Sequence, residues 1–324
     1  MAATPTGTRT AMMGRDPFAQ WLLCRRYGGD RARAASVSDH LRTVRDRVLD
    51  LAGVAAGDVV LDVGCGDGLI GFGALPSVGE GGAVVFSDIS PELLDCCRVR
   101  ARELGVLDRC RFIQAAAEDL AAIPDASVDV VAMRSVLIYA AEKRRACREF
   151  WRVLKDGGRL ALAEPVARFF GFPPPAHLFG WQTLYDVTPV QDLAGKVQAV
   201  FAQVRSPASP MMDFTARDLV DFAEAAGFAD LTLDLRVELR PARSVSNWNA
   251  WWLSAPNPLA PSFAEAVAQA LSDDEARRFV AHLRPLVERG EGQRRSALAF
   301  LRAVKTPASP RGWKDGNHAQ SDVP

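Results

Sequence analysis

Short, mostly apolar runs alternate with amphipathic stretches between about residues 58 and 165. The runs Val59–Val63, Ala83–Ser87, Cys110–Gln114 and Val128–Met133 are continuous rather than alternating, which is typical of strands covered on both faces. The stretches between them place apolar residues at helical spacing. This strand–helix repetition predicts an α/β fold with a doubly wound parallel sheet.

The periodic pattern continues on both sides of this segment. Two helices are predicted near Pro17–Arg26 and Ser36–Ala52, and the helix Glu142–Leu154 leads through the turn of KDGGRLALAE into a fifth strand. After an irregular stretch, the pattern returns with a helix at Asp213–Phe228, whose start Asp213 or Thr215 can cap. A strand near Asp230–Leu239 follows.

Two segments rich in aromatic residues and proline interrupt the pattern. The first contains PVARFFGFPPPAHLFGWQTLYDVTP, and the second contains SNWNAWWLSAPNPLAP followed by helices Ser262–Leu271 and Asp273–Arg289. Long insertions in a compact domain are usually functional, so we expect binding walls or lids; a dimerisation surface is the alternative. These patterns divide the chain into a core, two insertions and two disordered ends. The core comprises 58–165, 213–240 and the last strand segment 293–305, with Ser296–Val304 as strand. N-terminal helices (15–57) precede it, the lid or acceptor insertion (166–212) and the second insertion (241–292) interrupt it, and the disordered ends are 1–14 and 306–324.

Composition narrows the function classes. Lys+Arg and Asp+Glu are both 39 in 324 residues, so there is no global charge footprint for nucleic acid or an anionic membrane. The start MAATPTGTRTAMMGRD lacks the apolar region of a signal peptide, and no apolar run approaches 18 residues. The six cysteines lack metal-ligand spacing. We therefore expect a cytoplasmic protein with reduced thiols and no metal.

The stretch VVLDVGCGDGLIG contains a literal G-x-G-x-x-G at Gly66, Gly68 and Gly71, with Asp88 further on. This is the fingerprint of a dinucleotide site. The predicted strand ends at Val63, however, so the tight turn is GCGDG and the third glycine of the match falls inside the next helix. There it is expected to allow close packing on the sheet rather than to bind a pyrophosphate.

The charge at the end of this strand favours a different ligand. The carboxylate of Asp62 would repel a pyrophosphate, which prefers bare amides at a helix N-terminus. A ligand with a cationic end suits the position better. S-adenosylmethionine has an ammonium, a sulfonium and no phosphate. Asp88 can accept both ribose hydroxyls with either ligand, so it does not discriminate between them.

Four motifs in order carry a family resemblance. VLDVGCGDG, Asp88 after the second strand, AEDLAAIPDASVDVV and REFWRVLKDGGRLALAEP resemble the successive motifs of class I S-adenosylmethionine-dependent methyltransferases. The branch most similar to them includes ubiquinone/menaquinone C-methyltransferases, arsenite methyltransferases and natural-product methyltransferases. The resemblance covers about a third of the chain. It implies S-adenosylmethionine as cofactor and a Rossmann-like, seven-stranded sheet whose last strand pair is antiparallel.

The resemblance also implies a set of cofactor-binding residues. The methionine part would lie against Tyr27, Asp62, Gly64, Cys65, Gly66 and Arg134, and the adenosine part against Asp88, Ile89, Ala117 and Glu118. Structural alternatives stay open for three of them. Glu118 is also suited to a helix start, Arg134 to an ion pair, and Tyr27 to packing.

The acceptor side is predicted from the insertions and the strand ends. His177 and Glu164 are candidate general bases, and Tyr139 is placed to face the acceptor. The alternatives are a surface histidine, a carboxylate that orients the acceptor, and a core tyrosine. The aromatic candidates for the acceptor wall are Trp181, Tyr185, Trp248, Trp251 and Trp252. The last three share one helical face, which also suits a core.

These features together predict methyl transfer to a small, largely apolar or aromatic metabolite, at O, N or C, in secondary metabolism. The arsenite branch is disfavoured because neither insertion contains cysteine, and nucleic acid or protein acceptors are disfavoured because a basic stripe and an N-P-P-[YF] motif are lacking. The expected partner is a small-molecule acceptor, without nucleic acid or membrane, in a possible homodimer. The alternative function is S-adenosylmethionine binding without methyl transfer, as a cyclase or binding module.

Overall fold

The computed structural model describes residues 16–173, 177–180, 183–245 and 247–306. Five parallel strands form its centre in the order β3-β2-β1-β4-β5. Their bounds are β1 Val59–Val63, β2 Ala83–Asp88, β3 Cys110–Gln114, β4 Val128–Arg134 and β5 Leu154–Pro165. Burial of nearly every side chain in β1 and β2 explains their continuous apolar runs. The predicted doubly wound α/β fold is confirmed.

The sheet is extended by antiparallel strands at one edge. Strands β8 (Ala229–Pro241) and β9 (Gln293–Val304) pair antiparallel, and β9 also pairs antiparallel with β5. The expected antiparallel last pair is therefore present. A hairpin of β6 (His177–Gly180) and β7 (Thr183–Asp186) joins the start of β9. The described sheet thus has nine strands, two more than the predicted seven, because the first insertion contains a hairpin rather than only irregular chain.

Ten α-helices accompany the strands in the described ranges. They are α1 Pro17–Gln20, α2 Arg31–Ala52, α3 Leu69–Val78, α4 Pro91–Glu103, α5 Lys143–Val153, α6 Gln191–Ala202, α7 Ala216–Ala226, α8 Trp248–Leu253, α9 Phe263–Ala270 and α10 Asp273–Arg289. Helices α2, α3 and α4 pack on one face of the sheet and α5 and α7 on the other, each face with its own buried core. Local signals set several helix starts: Thr215, Ser262 and Ser272 each cap a helix in a capping box.

The two aromatic insertions fold together into one unit, here called the lid (177–180, 183–202 and 247–289). Its elements β6, β7, α6, α8, α9 and α10 share a third buried core that includes Tyr185, Trp251 and Phe263. Because β7 joins the start of β9, which runs past the end of β5, the lid lies beyond the carboxyl ends of the parallel strands.

Several predictions concern residues outside this description. The ends that we expect to be disordered, 1–14 and 306–324, fall outside it apart from Thr306, as does Trp181. Among the described helices, none is long and apolar enough to cross a membrane.

Candidate cofactor and acceptor site

A cavity of about 1560 Å³ lies at the carboxyl ends of the parallel strands. The loops after β1, β2 and β4 form its floor, and the lid and the N-terminal segment (16–33) cover it. Ligands of doubly wound sheets bind at this edge, where neighbouring strand connections diverge. The predicted site residues are therefore expected to line this cavity.

The loop between β1 and α3 brings bare backbone to the cavity wall. Gly64 and Gly66 both line the cavity and have positive φ values of +58° and +56°. A Cβ atom on Gly64 would lie 2.6 Å from a methyl carbon of Val136, and one on Gly66 would lie 3.2 Å from Leu22. The backbone conformation and the neighbouring side chains therefore both favour glycine at these positions, and the loop presents its backbone to the cavity. Cys65 is buried between them, and its N–H donates to the Ser87 carbonyl at 2.9 Å.

Asp88 lies at the end of β2, on the cavity wall, and is 6% exposed. Its Oδ2 accepts a hydrogen bond from the Gly66 N–H at 2.9 Å, and its Oδ1 accepts one from the Ser90 N–H at 2.9 Å. Burial raises the pKa of this carboxyl. The two hydrogen bonds fix the carboxylate against the glycine loop, and each oxygen keeps a free lone pair for a ligand hydroxyl.

Asp62 does not occupy the predicted position beside a ligand ammonium. Its side chain is 1% exposed, and its Oδ2 accepts a hydrogen bond from the Gly71 N–H in α3 at 2.8 Å. Burial and the nearby Asp88 raise its pKa to about 8. Asp62 is not among the described residues that line the cavity. The assignment of its carboxylate to the ligand is therefore wrong, because the side chain turns down onto α3.

The third glycine of the literal fingerprint packs against the sheet. A Cβ atom on Gly71, inside α3, would lie 2.3 Å from a ring carbon of Phe86 in β2. This confirms that Gly71 allows close approach of helix and strand. Such packing is also the role of the third glycine in dinucleotide folds, so Gly71 does not discriminate between the two ligands.

Two arginines face the glycine loop. Arg26 is 9% exposed and lies 4.9 Å from the ring centre of Trp21 and 5.2 Å from that of Tyr27. Arg134, at the end of β4, donates to the Ser135 hydroxyl at 3.0 Å. Burial, with the neighbouring Arg26, lowers the pKa of Arg134. Neither guanidinium forms an ion pair with a carboxylate of the described chain, and both line the cavity with Tyr27.

The predicted adenosine-binding residues lie along the same wall. Ile89, Ala117 and Glu118 all line the cavity, and Ile89 is 47% exposed. Glu118 also has a structural role, since its Oε1 accepts hydrogen bonds from the N–H groups of Ala141 at 2.9 Å and Glu142 at 3.4 Å. The structural alternative for Glu118 is therefore present, and its contact with adenine stays a prediction.

Glu164 is not placed to act on an acceptor. It is fully buried, and its carboxylate accepts hydrogen bonds from the backbone N–H groups of Val136, Leu137 and Ile138 at 2.7, 3.0 and 3.1 Å. Burial raises its pKa to about 7, against the effect of these hydrogen bonds. Its role as base or acceptor-orienting group is a wrong prediction, because the carboxylate faces the backbone of the loop after β4.

The other two catalytic candidates differ in position. His177 begins β6 opposite Asp186 and is not among the described cavity-lining residues, so the structure gives no support to a base there. Tyr139 lines the cavity and packs edge-on against Phe18 with ring centres 5.7 Å apart. Burial raises its pKa to about 12, so its phenol stays neutral near pH 7 and can donate a hydrogen bond.

The predicted aromatic wall is divided between cavity and lid core. Tyr185 and Trp251 line the cavity, with their rings edge-on and 6.1 Å apart. Trp248 stacks on Trp251 and Trp252 at 5.3 and 5.2 Å. Trp248 and Trp252 are absent from the described cavity lining. Their assignment to the acceptor is wrong because the shared helical face points into the lid core; Trp181 lies outside the described residues.

Sequence reasoning missed several cavity residues. His40 in α2, Arg294 in β9 and Phe263 in the lid all line the cavity. His40 falls on the apolar face of α2 with Val37 and Leu41 at helical spacing, and this polar residue in an apolar stripe was a usable signal. Arg294 offered none, because its placement depends on the length of β9. No group of described side chains is arranged to hold a metal ion.

Comparisons with known proteins agree with this geometry. Residues 61–162 match a family model described as a methyltransferase domain. The ubiquinone/menaquinone biosynthesis C-methyltransferase of Escherichia fergusonii is 38% identical over 116 residues, which cover 36% of this chain and 46% of that protein. The corresponding protein of Citrobacter koseri is 39% identical over 118 residues, with the same coverage. The chain thus aligns with slightly less than half the length of these relatives.

Solved structures extend the likeness in fold. The YcgJ protein of Bacillus subtilis covers 81% of this chain and 98% of its own, with a TM-score of 0.50 and 19% identity. A geranyl diphosphate methyltransferase in complex with S-adenosylmethionine covers 86% of this chain and 94% of its own, with a TM-score of 0.50 and 17% identity. Residues 61–162, the core of this chain, are thus similar to a methyltransferase domain and to part of S-adenosylmethionine-dependent methyltransferases.

Proposed function

We propose that the chain transfers a methyl group from S-adenosylmethionine to a small, largely apolar acceptor bound beneath the lid. The observation that carries this proposal is that the glycine loop, Asp88 and the lid line one continuous cavity. Its volume of about 1560 Å³ exceeds the roughly 300–1,000 Å³ of a pocket for one small ligand. The cavity therefore has room for an acceptor beside the cofactor.

The floor of the cavity fits the cofactor. In our proposal Gly64 and Gly66 present backbone to the methionine part, and Asp88 accepts hydrogen bonds from the ribose hydroxyls through its free lone pairs. Ile89 flanks the adenine, whose amino edge faces Ala117 and Glu118. The steric need for glycine in the loop supports this assignment.

The methionine carboxylate is assigned to the cationic part of the wall. Arg26 is buried between aromatic rings without a carboxylate partner in the described chain, and an unpaired buried charge is costly. A carboxylate held by Arg26 and Arg134, with Tyr27 beside it, would satisfy both guanidinium groups. The backbone of Cys65 lies between Gly64 and Gly66 in the glycine loop and is assigned to the methionine part as well.

When bound, S-adenosylmethionine supplies an electrophilic methyl group on a sulfonium. The chain contributes alignment of the acceptor and exclusion of water. Tyr139 is placed to donate a hydrogen bond to the acceptor, while Phe201, Trp251 and Phe263 supply apolar wall. We infer that positioning, rather than proton removal by Glu164 or His177, is the contribution of this chain. We expect the protein to act in the cytoplasm without nucleic acid, with a homodimer as the oligomeric state to test.

Methyl transfer can be tested with S-adenosylmethionine labelled in its methyl group. The purified protein is incubated with a panel of small aromatic and apolar acceptors, and mass spectrometry follows the label and S-adenosylhomocysteine. A labelled acceptor formed with one equivalent of S-adenosylhomocysteine supports the proposal. Cofactor binding without any transfer, with acceptors from the host metabolite extract included, would favour the cyclase or binding-module alternative.

A further inference from the structure

The cavity carries an excess of positive charge. Its described lining includes nine arginines and six acidic residues, whereas the whole chain has equal numbers of basic and acidic residues. Groups of both signs are partly engaged: Asp88 accepts hydrogen bonds from backbone amides, and two lining arginines form the ion pairs Arg236–Glu238 and Arg47–Asp234. The excess therefore reflects the cavity and not the composition of the chain.

Arg294 stands at the acceptor end of this cavity. In β9, Leu298 pairs with Pro165, the last residue of β5, so Arg294 lies four residues, or about 13 Å, past the end of β5. Its guanidinium lines the cavity and has neither an ion pair nor a hydrogen bond with another described residue. A partly buried guanidinium in this position is available to a ligand.

Arg134 points to the same side of the sheet. It pairs with Ala163 of β5, which pairs with Phe300 of β9. Laterally paired residues share a face, and alternate residues of β9 return to that face. Arg294 is separated from Phe300 by an even number of positions, so the two arginines lie on one face, towards α2.

His40 of α2 faces the two arginines. Phe300 shares a buried core with Val44, one helical turn after His40. Burial lowers the pKa of His40, and Arg294, Arg236 and Arg134 lower it further against the opposing effect of Glu238. Its imidazole is therefore neutral near pH 7 and can donate an N–H hydrogen bond.

The proposed cofactor adds to this positive charge. S-adenosylmethionine carries a sulfonium and an ammonium against one carboxylate, a net charge of about +1 at neutral pH. Like charges in a partly desolvated cavity repel strongly. An anionic acceptor would offset them, and a guanidinium binds carboxylate or phosphate oxygens with two parallel hydrogen bonds.

We propose that the acceptor carries an anionic oxygen group, a carboxylate or a phosphate, which binds to Arg294 and His40, while Arg134 stays with the methionine carboxylate of the cofactor. Its apolar body lies against Val37 and the lid. This inference rests on the proposed function, because it takes the anionic ligand to be the methyl acceptor. The preference of the cavity for anions is a property of the chain alone and can be measured without methyl transfer.

The test compares probes that share one apolar ring system, with 2-naphthoate and 2-naphthamide matched in shape. Calorimetry measures binding of 2-naphthoate, its neutral analogue 2-naphthamide and 2-naphthyl phosphate, with and without saturating S-adenosylhomocysteine. We expect at least one anionic probe to bind about tenfold or more tightly than the amide. The tighter of the two anions then identifies the group as carboxylate or phosphate. Equal affinity for all three probes overturns the inference.

Variants assign the preference to this site. Arg294→Gln should weaken binding of the anionic probe about tenfold and leave the amide unchanged. Arg302→Gln is the control, since Arg302 lies on the same face of β9 but outside the described cavity lining, paired with Asp230 at 2.8 Å. An anion preference that survives Arg294→Gln would also overturn the inference. If the unmodified protein does not bind S-adenosylhomocysteine, the proposed function is contradicted instead.

Discussion

At the scale of single residues, two buried carboxyl groups hold the backbone around the site. Asp62 binds the first turns of α3 through Gly71, and Glu164 binds three successive amides after β4. Their pKa values are raised to about 8 and about 7 because both are buried. The likeness to a methyltransferase domain rests on residues 61–162 as a whole, whereas the electrostatic argument from Asp62 is wrong because its carboxylate turns to α3 and away from the cavity.

Asp62→Asn tests this structural role. The folded-state pKa of Asp62 is raised, so the folded chain keeps a proton that the unfolded chain has lost between about pH 4 and pH 8. Asp62 therefore reduces stability as pH rises through that range, by up to about 1.4 kcal/mol per pH unit. Asn keeps an acceptor for the Gly71 N–H and has no such dependence.

Urea unfolding of both proteins from pH 5 to pH 8 measures the difference. We expect the variant to gain stability relative to the unmodified protein as pH rises, and to bind S-adenosylhomocysteine with unchanged affinity. A large loss of affinity would show that the Asp62 carboxylate does contact the ligand.

Asp88→Ala should act on the ligand instead. It removes two proposed hydrogen bonds to ribose and releases the Gly66 amide, and charged hydrogen bonds contribute about 1.5–3 kcal/mol each. We expect the affinity for S-adenosylhomocysteine, measured by calorimetry, to fall at least tenfold. Asp95→Ala is the control, because Asp95 is exposed in α4 and pairs with Arg98. Unchanged affinity in Asp88→Ala would contradict the proposed cofactor site.

At the scale of elements, the contact between α3 and β2 explains the third glycine of the fingerprint. A Cβ on Gly71 meets the ring of Phe86, whereas a Cβ on Gly73 in the same helix meets only the flexible side chain of Arg45. Gly71→Ala should therefore destabilise the fold by about 1–3 kcal/mol through overpacking, and Gly73→Ala should be neutral or stabilising. Thermal unfolding of the pair decides this, and equal melting temperatures would contradict the close packing.

A second matched pair probes the junction of lid and N-terminal segment. The Trp21 ring N–H donates to the Ala255 carbonyl at 2.8 Å, and the Ala255 N–H donates to the Arg25 carbonyl at 3.1 Å. A Cβ on Gly28 would lie 2.0 Å from the Ala250 carbonyl oxygen, while one on Gly29 meets no atom within 4 Å. Both glycines have positive φ, so both alanine variants carry the same kind of backbone strain.

Gly28→Ala should separate the lid from the N-terminal segment, whereas Gly29→Ala should lower stability by only about 1 kcal/mol. We expect limited proteolysis to cut Gly28→Ala faster and its affinity for S-adenosylhomocysteine to fall more than that of Gly29→Ala. Identical behaviour of the two variants would show that this junction does not close the cavity.

The elements of the core were predictable and the lid was not. The sequence predicted β1 and β3 with their observed bounds. In β1 the continuous apolar run follows from burial within the sheet, whereas in β3 only Cys110 is buried. The hairpin β6–β7 pairs locally but was missed, and its addition to the sheet uses Gln293 and Arg294, more than a hundred residues away. The tryptophans at 248, 251 and 252 share one face in sequence, but only the folded lid determines that this face is mostly core.

At the scale of the whole molecule, the lid unites two insertions that are distant in sequence. Its core draws on residues from both 183–202 and 247–289, and it covers a cavity whose floor is the cofactor loop. Cofactor and acceptor would therefore occupy one space closed by one unit. This arrangement supports a transfer reaction between two bound molecules more than a binding site for one.

The most direct test of the account is calorimetry with two ligands that contain adenosine. S-adenosylhomocysteine, titrated into the purified protein, should give a saturable heat of binding with one site per chain, and NADH under the same conditions should give none. The reason is that residues 61–162 match a methyltransferase domain, whereas Asp88 and the packing of Gly71 would be the same with a dinucleotide. Saturable binding of NADH together with no binding of S-adenosylhomocysteine would contradict the account.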